Sequence, residues 1–156
     1  MAKAAIHSAG GIVVRKGAKP AVAIVKRSKD GHWVLPRGKL KRKERPLAGA
    51  RREAIEETGH KVSVHHYLGA IVYPSQGRPK LVQFWHMRAA RHPSRDLMPD
   101  IAQVAWLPLN QAVKRLNSPL EKLFLQNVGR DLLPKRKAAK KAKRRRKARR
   151  KSRSRR

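Results

Sequence analysis

Four of the nine carboxylates in this 156-residue chain lie between Glu44 and Glu57, although the formal net charge is +32. Three of them, Glu53, Glu56 and Glu57, fall in residues 46–58, which read as a helix. Pro46 suits a first helical turn, and Gly59 supplies the left-handed residue that commonly ends one. Positions i, i+3 and i+4 share a helix face, so the three side chains span an arc of about 100°. Like charges on adjacent turns destabilise an isolated helix by about 0.2–0.5 kcal/mol per pair. The arrangement makes better sense with a divalent cation between the carboxylates. Leu47, Ala50 and Ala54 flank the arc and are expected to rest on a sheet.

The rest of the chain supplies that sheet. Residues 8–15 (SAGGIVVR) and 21–26 (AVAIVK) read as strands, rich in β-branched residues and separated by a Lys-Gly-Ala-Lys-Pro turn. Ser-Lys-Asp-Gly at 28–31 is a second turn, and the apolar piece 33–35 stops at Pro36. Residues 62–73 and 80–89 read as strands joined by a turn-rich loop at 74–79, and 103–107 as a shorter strand closed by Pro108. Residues 111–116 and 119–133 read as helices. The second opens on Ser118-Pro-Leu-Glu121, a capping-box pattern in which Glu121 would reach back to Ser118. Strands alternating with helices predict an α/β domain over residues 1–134.

Residues 135–156 stand apart, holding 16 of the 41 Lys and Arg with only Ala and Ser besides. This segment has nothing to bury and is expected to be disordered. The domain without it keeps 25 basic and 9 acidic side chains, so it is basic in its own right and attracts polyanions. The absence of cysteine excludes disulfides and thiolate metal sites. No apolar run approaches the roughly 18–20 residues that span a bilayer, and the first residues lack the apolar core of a secretory signal. A cytoplasmic location without membrane contact is expected.

The box from Gly38 onward carries a more specific message. Gly38, Glu44, Arg52-Glu53, Ala54, Glu56-Glu57 and Gly59 stand at the spacing of the Nudix box, and the chain resembles that family from Ser8 to about Leu133. SAGGIVV is like the family's first strand, WVLPRG leads into the box, and VAWLPL is like the strand that closes the fold. Ala54 and His60 are departures at usually aliphatic positions. The resemblance implies a Nudix-type α/β/α sandwich with a mixed sheet, and hydrolysis of a phosphoanhydride. It implies Mg2+, with Mn2+ as a substitute, held by Glu53, Glu56, Glu57 and the Gly38 carbonyl. Glu53 would be a further ligand or the base that activates water, and Arg52 with Glu44 would orient the glutamates. Relatives often recruit one more carboxylate from a loop outside the box, for which Asp96 and Asp100 are the candidates; Gln103, three residues before the Trp of the closing strand, departs from the Glu common there.

Five cations between Arg37 and Lys43 suit a substrate with several phosphates. Arg37 would hold two phosphate oxygens at once and Lys39 would act as a point charge. Tyr73 and Trp85 are the candidates for stacking on a base, whereas Trp33 and Trp106 are assigned to the core. His65, His66 and His86 lack metal-ligand spacing and are read as structural. The resemblance favours a nucleoside polyphosphate such as diadenosine tetraphosphate or 8-oxo-dGTP as substrate. The alternatives are an RNA 5′ end, an inositol pyrophosphate, or a non-catalytic nucleic-acid-binding role. The tail is expected to contact nucleic acid nonspecifically, with strong salt dependence.

Overall fold

The computed structural model describes residues 3–133 and 136–153. Seven strands form one mixed sheet: β1 (Ile6–Arg15), β2 (Ala21–Arg27), β3 (Trp33–Val34), β4 (Arg37–Lys39), β5 (Val62–Ser75), β6 (Arg78–Ala89) and β7 (Ile101–Leu107). Their order is β3-β2-β1-β6-β5, with β4 added to β1 and β7 to β2. The β1–β6 pair is parallel, running from Ile6↔Lys80 to Val14↔Arg88, and every other pair is antiparallel.

β1 explains why the sheet is covered on both sides. Its residues alternate between two cores, a period of two that only a doubly buried strand shows. Ile12 and Val14 join Phe84, Leu116 and Leu125 beneath α2 (Leu109–Arg115) and α3 (Pro119–Leu132). Ala9 and Val13 join Ala50 and Ala54 of α1 (Pro46–Thr58) on the other face. The result is the expected α/β/α sandwich. Phe84 and Ile12 are fully buried, which contributes about 1.5–3 kcal/mol each.

α1 starts without a side-chain cap at Arg45 and ends at Gly59, whose φ of 74° places its N–H on Ile55 O. Ala50 and Ala54 are fully buried, so the helix rests on the sheet through small side chains. Leu47, expected on that face, is instead 47% exposed. Three other local readings change. Residues 37–39 form a strand that the sequence did not suggest, because Pro36 and Gly38 obscure a pairing made only with distant β1. The loop expected at 74–79 is a tight hairpin with Pro74 opposite Pro79, its turn made by Gln76 and Gly77 at φ 53° and 70°. At α3, Ser118 accepts from Glu121 N–H (3.3 Å), but the Glu121 side chain does not return to it.

The basic segment is helical over Arg136–Arg153 (α4), consistent with the helix preference of Ala, Lys and Arg. Its side chains at 141–152 are exposed and add nothing to the core, as their composition requires. Among the described residues no helix is long and apolar enough to cross a membrane.

Candidate active site

The edge of α1 meets β4 where β4 lies against β1. Arg37, Gly38 and Lys39 pair with Gly10, Ala9 and Ser8, which fixes β4 beneath the glutamate edge. Gly38 is required there by close approach: a Cβ at this position would overlap the Glu53 carboxylate. The Arg37 N–H donates to Glu57 Oε2 at 3.3 Å. Two carboxylates of the box are thus seated on the first two residues of one short strand.

Arg52 organises the others. Its Nε and Nη2 donate to the two oxygens of Glu44, both at 2.8 Å, the forked geometry that makes such pairs strong. Nη1 donates to Glu53 Oε1 at 2.8 Å and Glu56 Oε2 at 3.2 Å, and Nη2 reaches Lys39 O at 3.3 Å. Glu44 also accepts from Lys41 N–H at 3.0 Å. The Arg52 guanidinium, then the Lys41 amide, hold the Glu44 carboxyl down to about 2.

Glu53 and Glu57 experience the opposite field. Burial pushes both upward, and the neighbouring Glu53 charge adds to the effect on Glu57, which is only 8% exposed and is pushed up to about 8. Asp100 bears on both groups as a like charge. Asp100, one of the two acids expected from outside the box, thus lies near enough for its charge to reach Glu53 and Glu57. Gln103 is exposed and pairs with Lys26.

Among the described residues, no three His, Asp or Glu are gathered closely enough to form a metal centre by themselves, and Glu56 is turned to Arg52. The donor set still fits magnesium. That ion takes hard oxygen ligands, keeps several waters and needs only one or two carboxylates when phosphates complete its shell. A dication would also offset the burial, and the lesser like-charge repulsion, that raise Glu53 and Glu57.

Beside the carboxylates runs a cleft of about 440 Å3, on the α2/α3 side of the sheet. Arg27, Lys29, Arg37, Lys39 and Lys80 line it, with His32, Tyr73, Ser75, Gln76, Asn117 and Ser118. Five cations in one recess give it a positive potential, which attracts polyanions. Lys80 shows the cost: burial, then the charges of Arg37, Lys39, Arg27 and Lys29, lower its ammonium to about 8. Lys80 pairs across the hairpin with Tyr73, its Nζ lying 5.9 Å from the ring centroid.

Arg37, Lys39 and Tyr73 thus share the cleft, but Trp85 does not. Trp85 belongs to the α1-side core with Ala50 and Ala54, its ring edge-on to Tyr67 at 5.0 Å. Strand alternation turned it to the face opposite Phe84, which packs on Phe124 beneath α3. Trp33 and Trp106 are half-buried at the margins of the two cores, facing Arg115 and Arg15. Lys41, Arg42 and Lys43 lie on an exposed loop outside the cleft lining. His65 and His66 flank His86 with ring centroids at 4.9 and 5.2 Å, away from the cleft residues. Sequence reading missed Arg27, Lys29 and His32 of the β2–β3 turn, Lys80 near the start of β6 and Asn117 between α2 and α3, which lie far apart in sequence.

Comparison with known proteins agrees with this geometry. The NUDIX domain model matches residues 5–128. An "8-oxo-(d)GTP phosphatase" of Mycolicibacterium smegmatis is 34% identical over 107 residues, which is 67% of this chain and 32% of that protein. A "MutT-like protein" of Streptomyces ambofaciens is 36% identical over 75 residues, 48% of this chain and 47% of that one. The chain therefore spans about a third and about a half of these relatives' lengths. Among solved structures, a C. elegans Ap4A hydrolase binary complex superposes with a TM-score of 0.74 at 23% identity, covering 81% of this chain and 97% of that one. With the carboxylate edge on β4 and the family model spanning nearly the whole domain, this chain belongs to the NUDIX domain family.

Proposed function

We propose that the protein is a magnesium-dependent pyrophosphohydrolase that cleaves a phosphoanhydride bond in a nucleoside polyphosphate. The observation that carries this reading is the adjacency of two opposed fields. The carboxylates of Glu53 and Glu57 are packed against β4, and five cations, Arg37 and Lys39 of β4 among them, line the cleft. A cation bound to a chain of phosphates satisfies both. Relatives named for 8-oxo-(d)GTP and for Ap4A support a nucleotide substrate of this kind.

The division of labour follows from position. Glu53, Glu56, Glu57 and the Gly38 carbonyl would hold Mg2+, or Mn2+ in its place, with Asp100 assisting from outside the box. When bound, the ion neutralises phosphoryl charge and lowers the pKa of water. Arg37 and Lys39 grip phosphate oxygens from β4, and Lys80 meets the chain from β6. Tyr73 offers its ring to the base. Glu53, raised by burial, is the base that takes the proton from water, and Arg52 keeps Glu44, Glu53 and Glu56 in place.

The basic segment 135–156 contacts nucleic acid nonspecifically, and this favours an RNA 5′ end as a second substrate. A panel of initial rates with magnesium on diadenosine tetraphosphate, 8-oxo-dGTP, an inositol pyrophosphate and 5′-triphosphate RNA tests both. A clear preference for a nucleotide is the expected result. Absence of turnover on every member, with no magnesium uptake by calorimetry, would end the hydrolase reading.

A further inference from the structure

Beneath the cleft lies a carboxylate that a purely structural role does not explain. Glu121 is 1% exposed, in the first turn of α3. Its Oε1 accepts the Leu35 N–H at 2.8 Å, a contact spanning 86 positions of sequence. Its Oε2 lies 3.8 Å from Arg37 Nε. Both of these last atoms are shielded from solvent and have no hydrogen-bond partner. Accepting one amide N–H requires no charge, since a glutamine would do it without the cost of burying an anion. Burial works against the Glu121 charge and pushes the carboxyl upward, while the charges of Arg37, then Arg27 and Lys80, favour the anion.

We infer that Glu121 is a positioning residue for substrate phosphate, steadying the Arg37 guanidinium by its Nε edge so that its outer edge stays turned to the cleft. This rests on the reading of the cleft as a phosphate site. Arg37 is well placed to need such support. Its own N–H is committed to Glu57, so the residue joins the carboxylate edge to the cleft, and its side chain is 12% exposed. An arginine ringed by Arg27, Lys29, Lys39 and Lys80 is repelled from the recess unless an anion holds it there. Glu121 supplies that anion from below and leaves the cleft open above.

The two physical roles of Glu121 predict opposite signs. As a bare charge, it weakens the binding of any anion nearby, so neutralising it would tighten binding. As a positioning group, it strengthens binding through Arg37. The test is calorimetric binding of inorganic tripolyphosphate to the full chain with magnesium, for wild type, Glu121→Gln, Arg37→Lys and the double variant. Glu121→Gln keeps an acceptor for Leu35 N–H and should weaken binding about fivefold, the scale of an ion pair that makes no hydrogen bond. Arg37→Lys keeps the positive charge, loses the Nε edge, and should weaken binding by a similar factor. In the double variant the Glu121 change should add nothing. Unchanged or tighter binding by Glu121→Gln, or additive losses in the double variant, would overturn the inference. If Glu121→Gln did not fold, wild-type affinity in Arg37→Lys would overturn it alone. A wild-type protein that did not bind tripolyphosphate would instead refute the phosphate reading on which it rests.

Discussion

The Arg37 N–H donates to Glu57 Oε2 at 3.3 Å, joining the residue that opens the cationic cleft to the most buried glutamate of the box. A shift in either must move the other. The carboxylate edge and the cationic cleft are therefore linked through one residue.

Glu57→Gln tests the carboxylate half of that link. The amide keeps an acceptor for Arg37 N–H but loses the charge, so magnesium-dependent turnover should fall by at least a hundredfold, about 2.7 kcal/mol of barrier. The melting temperature should stay level or rise, because a neutral group costs less to bury. Initial rates and a thermal melt on the same sample check both, and normal turnover would refute the metal assignment.

Gly38→Ala is a steric test of the same place. The added methyl would overlap the Glu53 carboxylate, the far end of a flexible side chain, so the fold can yield cheaply while the carboxylate cannot stay. The expected result is a loss of kcat of tenfold or more with a stability change below about 1 kcal/mol. A denaturant melt beside steady-state rates separates the two effects.

Arg52→Lys removes the fork that serves Glu44, Glu53 and Glu56 together. A lysine cannot reproduce those contacts, and three partly buried carboxylates lose their shared partner. Stability should fall by about 1–3 kcal/mol and kcat by at least tenfold. Wild-type kcat in a folded Arg52→Lys protein would show that the glutamates need no such support.

Lys80 makes substrate affinity depend on pH. Its ammonium is lowered to about 8 by burial and by Arg37, Lys39, Arg27 and Lys29. Below that value the group is charged and attracts phosphate; above it the charge is lost, so KM should rise as pH climbs through about 8. Lys80→Arg should flatten this limb, because arginine remains protonated throughout. KM profiles between pH 6 and 9.5 decide the matter, and an identical limb in the variant would assign the titration elsewhere.

Truncation after Leu133 removes a segment whose side chains, where described, are all exposed. Hydrolysis of small nucleotides should be nearly unchanged, while RNA binding at low salt should drop sharply. Filter binding between 50 and 200 mM salt should show the steep dependence of phosphate contacts only in the full chain. Equal loss of both activities would place the tail in the active site.

The sequence by itself determined α1, its proline start and glycine end, and the three glutamates on one face, because helical spacing is a short-range property that distant residues cannot alter. β1 and β2 were legible for the same reason, as was the Glu44–Arg52 pairing once the Nudix spacing was seen. Only the tertiary structure decided which side of the sheet each later residue occupies. Trp85 went to the α1 core, Tyr73 to the cleft, and Glu121 left its own helix cap for Leu35, because each outcome depends on pairings across many tens of residues. The cationic recess is the clearest case. Arg27, Arg37, Lys80 and Asn117 have no spacing to recognise, and meet only because the end of β2, the starts of β4 and β6 and the α2–α3 turn come together around one cleft.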